Sequence, residues 1–267
     1  MKQRIITAVI LGIIFIPAAL YSLKTAKVLY IVLMLAMAFE YLKAAYATDS
    51  DGFPKLFLGI LGAVGLLFSL YYFEPTVNVQ LFTFGIVVIF ILLNIILLLK
   101  SKTVLLTKGP YFLLVQLYIT LPILLLIYSL DNIPDLHLII FGVILLIWLS
   151  DVGAYFSGKF LGKHKLFPEV SPNKTWEGFF GGGLAVLIGA SLISFYPFQY
   201  TLVQWLIIGV IVWLFGSVGD LVESAFKRYF RLKDSGTMLP GHGGFLDRFD
   251  SFIFVVPVVL AFFYFIS

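Results

Sequence analysis

Residues 202–226 read LVQWLIIGVIVWLFGSVGDLVESAF, and a stretch rich in charge and glycine, 227–250, separates them from the next apolar run. At about 1.5 Å per residue, a helix of this length exceeds the roughly 30 Å hydrocarbon core of a bilayer. Asp220 and Glu223 interrupt the apolar pattern near its end. Because charge is costly near a bilayer, acids in such a place indicate function. The stretch therefore predicts a transmembrane helix that ends in a functional site.

The whole chain has the composition of a membrane protein. Its 267 residues are 61% hydrophobic and 12% charged, with a mean hydropathy of +1.06, whereas soluble domains average about half apolar and a quarter charged residues. The chain contains no cysteine, which excludes disulfides and cysteine-based zinc sites. No basic soluble domain is evident, so we expect no binding to nucleic acid.

Nine apolar segments predict membrane-spanning helices. They are roughly residues 5–22, 28–47, 55–73, 78–99, 110–130, 136–157, 178–195, 202–226 and 248–266. Most are long enough to cross a bilayer, so the expected fold is an all-α polytopic membrane protein with about nine transmembrane helices. The length of the first segment and the spans after it favour a retained helix over a cleaved signal peptide.

Lysine and arginine residues indicate how the chain is oriented. Almost all of them fall at the N-terminus or after the second, fourth, sixth and eighth spans, whereas Lys24 and Lys27 fall on the other side. By the positive-inside rule, the N-terminus and these four loops are cytoplasmic. We therefore expect an integral protein of the cell (inner) membrane whose active site faces the cytoplasm.

The chain divides into two regions by its chemistry. Residues 1–135 are mostly spans one to five with short loops. Residues 136–267 are expected to form a catalytic region of spans six to nine, because they hold nearly all the polar residues that resemble motifs. No internal repeat or flexible linker is evident.

The first group of candidate site residues lies at the end of the eighth span. On a helix, Asp220, Glu223 or Ser224, Lys227 and Arg231 lie near one face because they are three or four residues apart. A carboxylate there is suited to a metal ion, and the cations are suited to phosphate. The alternative is a structural ion pair with interfacial cationic anchors. Asp220 lies well inside apolar sequence, which favours a functional role.

The second group is the glycine-rich loop LPGHGG, residues 239–244, with the acids that follow it. Asp247 and Asp250 lie about one turn apart if the ninth span begins there. Acids at a helix N-terminus are typical of capping and of favourable contact with the helix dipole. Together with Asp220, however, they favour a metal site. His242 is either a turn residue or a substrate contact.

The third group is SPNKTWEG, residues 171–178. Ser171 or Thr175 is placed to cap the seventh span. Asn173 and Lys174 are suited to contact phosphate or a base, although Lys174 is equally explained as another positive charge on the cytoplasmic side.

Several other residues permit a structural or a functional interpretation. Gly178 and Gly182 suit close packing of helices in lipid. Asp151, toward the end of the sixth span, either pairs with a cation or belongs to the site. Glu40 lies three residues before Lys43 in the second span, so an ion pair within that helix is the expectation.

Together these segments resemble the CDP-diacylglycerol synthase (phosphatidate cytidylyltransferase) family. The family signature runs Ser, two residues, Lys-Arg, four residues, Lys-Asp, then Pro-x-His-Gly-Gly and Asp-Arg-x-Asp. The chain matches it throughout, at Ser224, Lys227, Arg228, Lys233, Asp234, Pro240, His242, Gly243, Gly244, Asp247, Arg248 and Asp250. Residues 171–178 are similar to a second family segment, whereas residues 1–135 share only hydrophobic spans with the family.

The resemblance implies that CTP and phosphatidate react to give CDP-diacylglycerol and pyrophosphate for phospholipid biosynthesis. It also implies dependence on Mg²⁺, a second cation and a homodimer in the bilayer. Asp220 and Asp247 would be metal ligands and, with Lys227 and Arg248, catalytic residues; Asp250 is a further candidate ligand. The expected substrate contacts are Ser171, Asn173, Lys174, Glu177, Ser224, Arg228, Lys233, Asp234, His242, Gly243 and Gly244.

Two other functions are compatible with parts of the pattern. A related lipid cytidylyltransferase or a CTP-dependent lipid kinase would use a different acceptor or direct attack to a different phosphate. A cation-coupled transporter would use Asp151, Asp220 and Glu223 as an ion path. Transporters of that kind favour acids near the middle of the bilayer and repeated halves. Here the charges gather on one face, which argues against transport.

Overall fold

The computed structural model describes residues 13, 16–18, 20–47, 52–72, 77–196, 200–241 and 243–266. Within them the chain forms nine α-helices and one two-stranded antiparallel sheet. The helices are α1 (Leu23–Ala45), α2 (Gly52–Tyr72), α3 (Val77–Ser101), α4 (Tyr111–Val115), α5 (Leu121–Asn132), α6 (Leu136–Leu161), α7 (Trp176–Ile193), α8 (Leu202–Tyr229) and α9 (Leu246–Ile266). The strands are β1 (Lys165–Phe167) and β2 (Ser171–Thr175).

The helices confirm an all-α polytopic membrane protein. Seven helical stretches of the described chain are long and apolar enough to cross a membrane, and one of them joins α4 and α5 through a π-helical turn, Gln116–Thr120. Helix α2 contains a shorter apolar stretch, Pro54–Leu67. Eight of the nine predicted segments therefore coincide with described helices. Most of the first segment, 5–22, lies outside the described residues.

Side-chain caps fix where several helices begin. Ser22 and Thr25 form a capping box at the start of α1, and Thr201 and Gln204 form another at the start of α8. Thr175 caps α7 by accepting a hydrogen bond from the backbone amide of Gly178 at 3.1 Å. The expectation that Ser171 or Thr175 caps the seventh span is thus confirmed for Thr175.

Glycines allow α6 and α7 to cross at close range. A Cβ atom on Gly182 would lie 2.9 Å from the carbonyl oxygen of Ser150, and one on Gly178 would lie 2.9 Å from that of Ala154. Small residues at such positions let helix backbones approach each other in lipid. The predicted packing role of both glycines is confirmed, and the crossing fixes the wall of α6 that carries Asp151.

The substitution Gly182→Ala should therefore destabilise the protein by about 1–3 kcal/mol, the usual cost of overfilling a packed interior. Its Cβ atom would press on Ser150 and would lie 3.2 Å from the Cβ atom of Ala154. Gly65→Ala is the matched control, because a Cβ atom there meets nothing within 4 Å. Thermal unfolding of both variants in detergent measures the difference. Equal melting temperatures would contradict a close crossing at Gly182.

Helix α1, the first helix that the structure describes in full, packs against α8 and α9. Tyr30 stacks on Phe252 of α9 with ring centroids 6.1 Å apart, and Tyr41 stacks on Phe226 of α8 at 5.0 Å. All four rings are at most 2% exposed. Buried aromatic surface of this size contributes strongly to packing, so α1 is held firmly against α8 and α9, two helices that carry residues of the signature.

Two ion pairs agree with the predicted alternation of the spans. Lys102, after the fourth predicted span, pairs with Glu169, after the sixth, at 2.6 Å. Lys27 and Asp131 pair at the start of α1 and the end of α5. The loops after spans four and six therefore lie on one side of the helices, while the start of span two and the end of span five lie on the other.

Candidate active site

A cavity of about 540 Å³ lies between α6, α7 and α8, with β2 along one side. Asp151 of α6, Lys174 of β2 and Asp220 of α8 contribute charge to its wall. Apolar residues such as Val212 and Phe179 line other parts of it. Its volume is typical of a small-molecule site, and a few polar groups in an apolar wall are typical of one that orients its ligand.

An ion pair between Lys174 and Asp220 lies in this cavity. Lys174 Nζ is 2.5 Å from Asp220 Oδ2, and the two side chains are 25% and 35% exposed. Ser224, one turn further along α8, donates a hydrogen bond from its hydroxyl to Asp220 Oδ1 at 3.3 Å. The structure thus brings together three predicted site residues. Lys174 lines the cavity and pairs with Asp220, so it is not an isolated surface charge.

Asp151 belongs to the same constellation. Its carboxylate lines the cavity and is close enough to Asp220 for the two negative charges to repel each other. Lys174 and Arg248 attract it from nearby. Of the two interpretations left open by the sequence, the structure favours a place in the site over a separate ion pair.

A tight crossing of α8 and α9 places Asp250 behind the cavity. A Cβ atom on Gly219 would lie 2.7 Å from the carbonyl oxygen of Asp250, so only glycine permits this approach. Ser251 donates a hydrogen bond from its hydroxyl to the carbonyl oxygen of Gly216 at 2.9 Å, which fixes the crossing. Asp250 is 9% exposed, and its carboxylate is repelled by that of Asp220.

A second charged cluster is less exposed than the first and is centred on Lys227. Its Nζ atom is 2.5 Å from Glu223 Oε2 and 2.8 Å from Asp247 Oδ1. The lysine side chain is 16% exposed, and the two acids are 1% and 6% exposed. One cation therefore balances two buried carboxylates, and Lys227 is an internal ion-pair partner of both.

Hydrogen bonds from the loop after α8 hold Asp247. Its Oδ2 atom accepts from the amide of Ser235 at 2.9 Å, the hydroxyl of Ser235 at 3.0 Å and the amide of Gly244 at 2.8 Å. Gly243 has φ +83, a conformation that favours glycine. With Lys227 on Oδ1, both oxygens of Asp247 are engaged, and the residue does not line the cavity described above.

The β-hairpin was not predicted, and it positions Asn173 and Lys174. Thr175 pairs with Lys165 across the two strands. At its base, His164 Nδ1 lies 2.7 Å from Glu177 Oε1, and the amide of His164 also donates to this carboxylate. Glu177, predicted as a substrate contact, thus closes the hairpin, while Asn173 and Lys174 line the cavity.

The remaining predicted residues lie around the two clusters. Arg228 Nε donates to the carbonyl oxygen of Val170 at 3.3 Å and ties the hairpin to α8. Ser171 is in β2, and Lys233 and Asp234 are exposed in the loop after α8. His242 lies outside the described residues, so its substrate contact stays a prediction.

Sequence reasoning missed Ser235 and misassigned Glu40. The side chain of Glu40 does not form the expected pair with Lys43, because it accepts a hydrogen bond from the amide of Leu246. Lys43 lies over the ring of Phe39 instead. The available signal was an acid inside an apolar span, the same signal that singled out Asp220.

Comparison with known proteins extends the resemblance over the whole chain. The cytidylyltransferase family model matches residues 2–266. The chain belongs to the cytidylyltransferase family. The match includes the first 135 residues, where the sequence had shown only hydrophobic spans, so the resemblance inferred from the signature is confirmed.

Several members of the cytidylyltransferase family are similar to this chain along nearly their full length. A phosphatidate cytidylyltransferase of Staphylococcus aureus (strain COL) is 39% identical over 263 residues, which cover 97% of each chain. One of Bacillus subtilis (strain 168) is 40% identical over 272 residues, covering 96% of this chain and 95% of the relative. One of Staphylococcus haemolyticus (strain JCSC1435) is 36% identical over 260 residues.

Proposed function

We propose that this chain is a phosphatidate cytidylyltransferase, which transfers CMP from CTP to phosphatidate and releases pyrophosphate. The product, CDP-diacylglycerol, serves phospholipid biosynthesis. The observation that carries the proposal is the pair of Lys174 and Asp220 in a cavity between membrane-spanning helices. Relatives that bear this name and align with nearly the whole chain support it.

The reaction needs charge control more than it needs a strong base. A phosphate oxygen of phosphatidate attacks the α-phosphorus of CTP. The bond between this phosphorus and the oxygen that bridges it to the β-phosphorus breaks. Pyrophosphate leaves with that oxygen and its electron pair. Because the attacking phosphate is already ionised, the main obstacle is bringing two anions together. Catalysis of phosphoryl transfer rests largely on positioning and on neutralising charge, which suits Lys174 in the cavity and Arg248 near it.

We propose further substrate contacts from their positions. Asn173 shares the cavity wall with Lys174 and would face the same ligand. Ser224 would orient Asp220 through its hydrogen bond. Lys227 would act through Asp247, to which it donates. The residues that would shape or border the substrate site are Ser171, Glu177, Arg228, Lys233, Asp234, Gly243 and Gly244.

Magnesium is the metal ion that we propose for this site. Among the described residues, no group of three or more histidine, aspartate and glutamate side chains is arranged to hold a metal ion. Mg²⁺, however, usually takes only one or two carboxylates and completes its shell with water and substrate phosphates. Asp220 and Asp151, two acids that repel each other in one cavity, fit that requirement. Bound there, the ion would neutralise charge on the triphosphate.

The predicted ligands Asp247 and Asp250 differ from Asp220 in their surroundings. Asp247 would have to release Lys227 or a loop amide before it could bind a metal ion. Asp250 is buried behind the cavity, beside Asp220. A role for Asp250 with a second cation belongs to the same proposal.

We also propose a cytoplasmic active site in the cell membrane and a homodimer. The support for orientation is the concentration of lysine and arginine on the side that carries the hairpin and the loop after α8. The support for a homodimer is the resemblance to the family.

Labelled CTP distinguishes this function from its enzymatic rivals. Purified protein in detergent is given phosphatidate and Mg²⁺ with CTP labelled at either the α- or the γ-phosphate. Lipid labelled only by α-labelled CTP is the expected result, because CMP is transferred. Lipid labelled by γ-labelled CTP would overturn the proposal in favour of a lipid kinase. If no lipid is labelled until phosphatidate is replaced by another lipid phosphate, the acceptor assignment is wrong.

A further inference from the structure

A buried acid from the N-terminal half of the chain reaches the loop that precedes α9. Glu40 of α1 is 2% exposed, and its Oε2 atom accepts a hydrogen bond from the amide of Leu246, the first residue of α9, at 3.0 Å. The amides of Phe245 and Met238 also face this carboxylate. The first amides of a helix lack partners inside the helix and favour a nearby anion. Glu40 therefore fixes the start of α9 from a different helix.

Two glycines of the loop make room for the Glu40 carboxylate. A Cβ atom on Gly236 would overlap Glu40 Oε1, and its three nearest atoms would all belong to the Glu40 side chain. A Cβ atom on Gly244 would overlap Glu40 Oε2. Neither glycine has a positive φ. Space for Glu40, and not backbone conformation, is thus the structural reason for glycine at Gly236.

The same loop contacts Asp247 on its other side. The amide and hydroxyl of Ser235 and the amide of Gly244 donate to Asp247. The loop is therefore held between two carboxylates, one from α1 and one from α9. Asp247 in turn holds Lys227 of α8. A movement of Glu40 would be transmitted through the loop to both of these residues.

We propose that Glu40 is a positioning residue for cytidylyl transfer, which holds the described loop residues 235–241 and 243–245 and the start of α9 so that Asp247 and Lys227 keep their places. The inference rests on the proposed function for its catalytic consequence. Glu40 does not line the cavity described above and acts through the loop. The N-terminal region thus contributes a specific group to the reaction in addition to spanning the membrane.

Replacing Glu40 should change turnover more than substrate affinity. Glu40→Ala should lower kcat by about 10- to 100-fold, as expected for a displacement of reacting groups on the ångström scale, with little change in KM for CTP. Glu40→Gln keeps an acceptor for the Leu246 amide and should recover most of the lost kcat. Glu169→Gln, at an exposed acid paired with Lys102, is the matched control and should retain the wild-type rate.

A double-mutant cycle tests whether Glu40 acts through the loop. Gly236→Ala alone should lower kcat, because its new methyl group meets the Glu40 carboxylate. In a protein that already carries Glu40→Ala, adding Gly236→Ala should cause almost no further loss. Multiplied losses in the double variant would show that the two sites act independently, and the proposal would then be wrong.

Hydrogen exchange provides a readout that does not depend on the reaction. In Glu40→Ala, peptides covering 235–246 should exchange faster than in wild type, while peptides from α6 and α7 should be unchanged. Unchanged exchange in the loop, or a lowered melting temperature with full kcat, would overturn the positioning role. A wild-type protein that makes no CDP-diacylglycerol would count against the proposed function alone, because the exchange measurement still tests Glu40.

Discussion

Asp220→Asn should lower kcat by about 10²- to 10³-fold, the usual effect of removing one group that organises charge in a transition state. Two consequences follow from the geometry. The neutral side chain no longer holds Lys174, which lies 2.5 Å away in the wild-type cavity. It also removes one of the two carboxylates that we propose as ligands of Mg²⁺. Formation of CDP-diacylglycerol from α-labelled CTP measures the loss.

The effect of Asp220→Asn needs a control in which the same chemical change is made at another aspartate. Asp131→Asn is suitable, because Asp131 is an exposed acid that pairs with Lys27 at the other end of the spans. It should retain wild-type turnover. If Asp220→Asn also keeps wild-type turnover in a folded protein, Asp220 has no catalytic role, and the cavity must serve another purpose.

A Lys174 variant distinguishes the two consequences of Asp220→Asn, which are the loss of the ion pair and the loss of a proposed metal ligand. If Asp220 acted only by holding Lys174, then Lys174→Met would cost as much as Asp220→Asn, and the double variant would cost no more than either. We expect a larger loss in the double variant, because Asp220 also has a role toward the metal ion. A steeper dependence of rate on Mg²⁺ concentration in Asp220→Asn, but not in Lys174→Met, would support that separate role.

The spans and the signature were predictable from the sequence for physical reasons. A bilayer imposes a minimum length of apolar helix, so eight predicted segments coincide with described helices. Asp220 was recognisable because charge is costly inside apolar sequence. The role of Gly178 and Gly182 was predictable because helices in lipid approach each other at small residues.

Features that depend on distant contacts were not predictable. Glu40 lies 206 residues from its hydrogen-bond partner Leu246. The sequence suggested only a pair with Lys43, which lies on the same helix. His164 and Glu177 close the hairpin, although they lie 13 residues apart in the sequence. The strands do not show the alternation of apolar and polar residues that would have predicted them. Likewise, the shared cavity of Asp151 and Asp220 follows from how three helices cross, which no local pattern encodes.

The largest effect on stability is expected at Lys227. Lys227→Met should destabilise the protein by about 3–5 kcal/mol, because removing one partner of a buried ion pair leaves uncompensated charge. Glu223 and Asp247 would then lie buried without their shared cation. A loss of this size should lower the melting temperature by about 10 °C, which thermal unfolding in detergent measures.

Two further variants identify the cause of the destabilisation. Lys102→Met removes an exposed lysine from its pair with Glu169 and should cost at most about 1 kcal/mol. Adding Glu223→Gln to Lys227→Met should restore part of the lost stability, because Asp247 keeps its bonds from the loop while the second buried charge is gone. If Lys227→Met melts like Lys102→Met, or if Glu223→Gln adds to the loss, then buried charge does not set the stability of this cluster. Lys227 would then serve only the proposed reaction, and its removal should lower kcat without lowering the melting temperature.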